Sequence, residues 1–208
     1  MVHWRFSILT RIILNDTGIY NAMNKGINLS SGKYISFLNS DDVYITENFD
    51  AFMKEMGKGD FDYIYGNVIR KEKGRKVEFK PIPKKKAEKY GYLTPILTQP
   101  ASFIKRTVYE EIGTFDEQFK IAGDTDFLIR LIVKGDFKGK YVDKPINLFA
   151  VNGVSNRLIN FKEHHIIKNK YNIKTKYFYK YLTISTIKKI IYRIINILIS
   201  LYKRNKGK

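Results

Sequence analysis

The 208-residue chain contains no cysteine, which excludes both a disulfide framework and a thiolate metal site. Long apolar runs are also missing. The uncharged stretch Ile194–Tyr202 has nine residues, whereas a bilayer span needs about 20. Met1–Leu14 is apolar apart from scattered basic residues, but no small-residue cleavage site follows it, so it does not read as a signal peptide. Acid is scarce in one region. After Asn156 a single carboxylate, Glu163, faces fourteen Lys and Arg, so +13 of the net +18 belongs to the last quarter of the chain. No helix-turn-helix signature or aromatic-basic stacking pattern accompanies that charge, and nucleic-acid binding is not expected.

What is present supports a packed α/β unit: 44% of the residues are hydrophobic. The organising stretch is Tyr34–Leu38, an apolar run entered from Ser30-Ser31-Gly32 that stops on Asn39-Ser40-Asp41-Asp42. The run reads as a buried strand, with the acids at its carboxyl end. Ligands bind at that edge in open α/β sheets. Adjacent carboxylates repel unless a cation offsets them, and a hard divalent ion shared with substrate phosphates fits. The plain alternative is a turn, which Asn, Ser and Asp all favour.

In chain order, Met1–Leu14 is compatible with a strand or a short helix. Asp16 or Thr17 can cap a helix carrying Ile19, Ala22, Met23 and Ile27, with Gly32 as its stop. Thr46 can cap a second helix, with Phe49, Phe52, Met53 and Met56 on one face. Phe61–Ile69 and Val77–Lys80 read as a hairpin across a basic turn. Residues 81–100, with Lys84-Lys85-Lys86, read as an irregular loop. A strand at Ala101–Ile104 precedes a helix that Thr107 and Glu110 can box. Asp124 opens a helix stopped by Gly135, where its plainest job is an N-cap. Lys138–Val142 and Ile146–Val151 are expected as two further strands.

Five stretches carry a family resemblance: Asp16–Ile27; Gly32–Asp42; Gln99–Arg106; Gly113–Glu117; and Gly123-Asp124-Thr125-Asp126-Phe127 with Arg130. In this order they resemble the GT-A glycosyltransferases of the family 2 type, bacterial enzymes that build polysaccharides from nucleotide sugars. The resemblance implies a GT-A, Rossmann-like mixed sheet with flanking helices over residues 1–156, followed by a basic helical tail over 157–208. It implies transfer, inverting in stereochemistry, from a nucleotide diphosphate sugar to a glycan or lipid-linked acceptor. Asp42 stands where the family binds Mn2+ or Mg2+, with Asp41 beside it. Asp16, Asn24 and Asn39 fall on the donor side, although Asn39 replaces the acid many members carry. Asp124 stands at the general base, and Gln99, Asp126 and Arg130 fall on the acceptor side. Two residues apart on one helix, Asp124 and Asp126 cannot both face a cleft. Gly123 occupies a place where relatives often have Glu.

Nothing in Met1–Leu14 matches the strand and loop with which the family holds the nucleotide base. About 50 residues, or two βα units, are therefore expected to be missing, and weak nucleotide binding with little activity is the consequence. In the tail, Ile187, Ile190, Ile191, Ile194, Ile195, Leu198 and Ile199 make an apolar face flanked by Lys188, Lys189, Arg193, Lys203 and Arg204. That pattern suits an anionic membrane surface at the inner, cytoplasmic face. Packing on the domain or in a homodimer is the competing use of the same face. The rival to an enzyme is a non-catalytic remnant that binds membrane or a partner protein through this tail.

Overall fold

In a computed structural model of the chain, residues 15–72, 75–89, 97–150 and 158–173 are described, together with Ile191 and Ile194. Met1–Leu14 and most of the apolar tail helix lie outside them. The elements run α1 (Ile19–Leu29), β1 (Tyr34–Ile35), β2 (Val43–Tyr44), α2 (Thr46–Gly57), β3 (Tyr63–Glu72), β4 (Arg75–Phe79) and α3 (Lys84–Lys89). They continue with a 3-10 turn (Gln99–Ala101), β5 (Ser102–Lys105), α4 (Arg106–Ile112), α5 (Gly123–Ile129), a π-helical turn (Arg130–Lys134), β6 (Gly139–Ala150) and α6 (Leu158–Lys170).

The strands form one mixed sheet in the order β1-β5-β3-β6-β2, with β4 folded back on β3. Only the β3–β6 pair is parallel. Because side chains alternate along a strand, Phe103 and Ile104 of β5 enter different cores. One core packs α2 through Phe52, Met53 and Met56 against Ile64, Val68, Val142 and Ile146. The other gathers Tyr20 and Ile27 of α1, Val108 and Tyr109 of α4, Phe127 and Ile129 of α5 and Ile167 of α6. Gly66 lies where β3 crosses the α2 side: a Cβ there would sit 2.3 Å from the Phe52 ring and 2.7 Å from the Lys144 carbonyl. Only glycine permits that approach.

Several sequence expectations change here. The two strands expected at 138–151 are one, β6. β6 runs through Pro145, which lacks a ladder donor, and a register irregularity opposite Asn67 absorbs it. Asn67 is fully buried there, donating to Glu78 (2.6 Å) and Asp143 (2.9 Å) and accepting from the Tyr141 hydroxyl (2.7 Å). The loop expected at 81–100 contains α3, begun by the three lysines. The side-chain caps expected of Asp16 or Thr17, Thr46, Thr107 and Asp124 do not form. Gly18, Ile45, Lys105 and Ala122 take the cap position instead, with no side-chain cap bond. The first helix stops at Leu29, before Gly32. Ser30 caps it through its N–H on the Gly26 carbonyl, and Arg106 donates to the carbonyls of Ile27 and Ser30.

The division expected at residue 156 falls inside the packed unit. α6, assigned from its charge to the tail, places Ile167 at 2% exposure in the core.

Candidate active site

β1 is shorter than the apolar run that contains it: pairing ends at Ile35, and Ser36–Asp42 leave the sheet edge. The Asp42 N–H closes a turn on the Asn39 carbonyl (3.1 Å), while the Asn39 amide donates to Asp42 Oδ2 (3.0 Å). The turn reading holds, whereas the buried strand expected over Tyr34–Leu38 is reduced to two residues at the sheet edge, with Leu38 exposed. Asp42 is 4% exposed, whereas Asp41 faces solvent. Among the described residues no group of three or more His, Asp or Glu could hold a metal ion by itself. One buried carboxylate with a flanking amide still fits Mg2+ or Mn2+, which complete their shells with substrate phosphates and water.

Asp124 lies in the first turn of α5. Its Oδ1 accepts the Thr125 N–H (2.7 Å) and lies 3.4 Å from the Tyr20 hydroxyl. The residue as a whole is only partly buried, yet its surroundings strip water from the carboxyl. Desolvation holds it above the usual carboxylate range, opposed by the Thr125 N–H, the charge of His164 and the Tyr20 hydroxyl. Tyr20 is itself pushed up, by burial first and by the Asp124 charge second. The missing side chain at Gly123 has a steric cause. A Cβ there would lie 2.7–2.9 Å from the Tyr20 ring, so the tyrosine fills that space.

The two carboxylate loops are joined by rings. Phe37, at the start of the acidic loop, meets Phe115 edge-on at 5.6 Å, and Phe115 stacks on Tyr20 at 5.6 Å. Tyr20 then reaches Asp124. Gln99 is buried at the start of its 3-10 turn, with its amide 3.7 Å from the Met23 sulfur of α1.

Three expected site residues belong to the scaffold. Asp126 is fully buried, with Oδ1 bonded by Lys170 (2.9 Å) and Tyr171 (2.8 Å) and Oδ2 by Arg130 (3.0 Å). Arg130 spends its other donors on the carbonyls of Ile112, Gly113 and Thr114. Neither is available to an acceptor. The Asn24 amide donates to the Phe115 carbonyl and to Glu117 (both 2.9 Å), and its oxygen accepts the Phe115 N–H, so it holds a turn rather than a donor. Asp16 is exposed ahead of α1.

Residues 7–113 match the family described as Glycosyl transferase family 2. The chain belongs to that family. The match begins at Ser7, inside the stretch where no family likeness was expected. This family 2 chain is 25% identical over 162 residues to an uncharacterized glycosyltransferase of Methanocaldococcus jannaschii, covering 73% of this chain and 53% of that protein. It is 26% identical over 148 residues to a PGL/p-HBAD biosynthesis glycosyltransferase of Mycobacterium bovis, covering 70% and 56%. The chain thus spans about half the length of the curated relatives it matches. Its fold is similar to that of S. aureus TarS 1–349 solved with UDP-GlcNAc, at a TM-score of 0.51, 16% identity and coverage of 76% and 48%. The mixed sheet with flanking helices is GT-A-like.

Sequence reasoning missed Tyr20, Glu163 and His164. Tyr20 had no signal except the glycine at 123. Glu163 had one, being the lone acid among the last 52 residues.

Proposed function

We propose that this family 2 chain transfers a sugar from a nucleotide diphosphate sugar to a hydroxyl of a glycan or lipid-linked acceptor, with inversion at the anomeric carbon. The observation that carries the reading is the ring contact from Phe37 through Phe115 to Tyr20, which packs the Asp42 loop and Asp124 onto one core. Asp42, with Asp41 and Asn39 beside it, would hold a divalent ion. When bound, the ion neutralises charge on the diphosphate. Asp124 takes the proton of the acceptor hydroxyl as that oxygen bonds to the anomeric carbon. The bond from that carbon to the diphosphate breaks, and its electron pair leaves with the nucleoside diphosphate. Desolvation above the ordinary carboxylate range favours this role, because a stronger base is a better proton acceptor. The TarS structure with UDP-GlcNAc supports the donor class.

The test is transfer from a panel of nucleotide diphosphate sugars with Mn2+ or Mg2+. Asp42→Ala should remove metal-dependent nucleotide binding while the melting temperature stays native. Metal-dependent binding equal to that of wild type removes the ion assignment.

Association of the tail with the inner face of the membrane is a second part of the proposal. Ile191 and Ile194, one helical turn apart, are helical and each half exposed, as an apolar face directed at a bilayer would be. No described helix is long and apolar enough to cross a membrane.

A further inference from the structure

α6 presents Glu163, Ile167, Lys170 and Tyr171 at spacings that share one helix face. Ile167 enters the core, and the polar groups on either side of it close on the segment containing Asp124. Glu163 is 5% exposed. Its Oε1 accepts the Lys120 N–H at 2.8 Å, and its Oε2 accepts the N–H groups of Ile121 (2.9 Å) and Ala122 (2.8 Å). These amides lead directly into α5, and the Ala122 carbonyl starts that helix by accepting the Asp126 N–H at 3.0 Å. Residue Ile121 is fixed twice, its N–H by Glu163 and its carbonyl by the Tyr20 hydroxyl at 2.6 Å. One turn further on, Lys170 and Tyr171 hold the far side of Asp126. Between the two clamps stands Asp124, and the charge of His164, on the same α6, acts on it.

A carboxylate shared by three backbone N–H groups is a strong, charge-assisted anchor. Displacing a reacting group by about 1 Å can cost about a hundredfold in rate. We propose that Glu163 is a positioning residue for the transfer reaction: through the backbone of Lys120–Ala122 it sets where the Asp124 carboxylate meets the acceptor hydroxyl, touching neither substrate. The inference rests on the reading of Asp124 as the base. It gives a function to the one acid of the basic C-terminal stretch and makes α6 part of the active-site machinery.

The experiment uses the 208-residue chain and Glu163→Gln, which keeps the shape but presents an amide donor to amides that need acceptors. Met56→Ala serves as a control that loosens the separate core under α2 and touches neither α6 nor residues 120–122. With Glu163→Gln, kcat per folded molecule should fall about tenfold to a hundredfold while the donor KM stays within about twofold. The Asp124 carboxyl, followed by carbon NMR, should titrate lower than in wild type, because water reaches it and a nearby negative charge is gone. The amides of residues 120–122 should exchange faster. Met56→Ala should lower stability with kcat per folded molecule retained. A Glu163→Gln kcat within twofold of wild type, or an equal loss of kcat in Met56→Ala, overturns the proposal. Should Glu163→Gln not fold, Glu163→Asp, with the charge one methylene short, is read in the same way. If wild type transfers no sugar, or Asp124→Asn is as fast as wild type, the base reading fails. The titration and amide exchange then still decide the positioning role, and no change in either overturns it.

Discussion

Tyr20 donates to a carbonyl 101 residues further along the chain and fills the space that a side chain at 123 would need. A Gly123→Ala change therefore overpacks the ring and should cost about 1–3 kcal/mol, with the loss reduced when Tyr20→Ala is made as well. Urea unfolding of the two single variants and the double variant measures that coupling. Asp124 gives a second expectation. Its folded carboxyl is raised, so its contribution to stability is present below the unfolded value of about 3.9 and is lost as pH rises through the folded value. Asp124→Asn should then melt above wild type at pH 7, with the gap closing toward pH 4, while sugar transfer falls about a hundredfold or more. Melting curves at both pH values and a rate assay check the two halves. At this scale the places of Asp42 and Asp124, after an apolar run and in the first turn of a helix, were legible in the sequence. The partners of Asp126, Arg130 and Asn24 were not, because they depend on α6 and on the Phe115 turn, and local spacing reports neither.

The elements were read well where hydrophobic period dominates and badly where single residues were asked to mark ends. α1, α2 and the β3–β4 hairpin follow their patterns. The capping assignments failed by one or two residues, and the gap expected between Val142 and Ile146 does not occur, because an irregular register accommodates Pro145. Charge misled over α6: three lysines hid Ile167 and Glu163. Removing the partner of a buried ion pair leaves an uncompensated charge, so Asp126→Ala, which strands Arg130 and leaves Lys170 only Asp116, should cost about 3–5 kcal/mol in chemical unfolding. Burial by itself would lower the Lys170 ammonium, but the carboxylates of Asp126 and Asp116 outweigh it and raise it. A chain ending at Asn156 loses all of this and should not fold cooperatively, whereas one ending at Ile173 should keep the native circular dichroism. Comparing their thermal transitions decides it.

Over the whole molecule the charge is unevenly spread: the region up to Asn156 is nearly balanced, and the basic surplus follows it. The membrane proposal is accordingly tested with the chain ending at Ile173, since the shorter truncation confounds binding with unfolding. The Ile173 version should lose affinity for anionic liposomes, and salt should weaken the full chain's binding. Equal pelleting of the two would end that reading. The two clamps on α5 also have a consequence in time. α1 leaves the ribosome ahead of its partners: Tyr20 and Asn24 find theirs only after residues 115–124 have followed, about 5–20 s later at ordinary synthesis rates. α6, which anchors those same residues, emerges later still. A nascent chain therefore holds one apolar helix face open over that interval, and the segment carrying Asp124 is fixed only once α6 has been made.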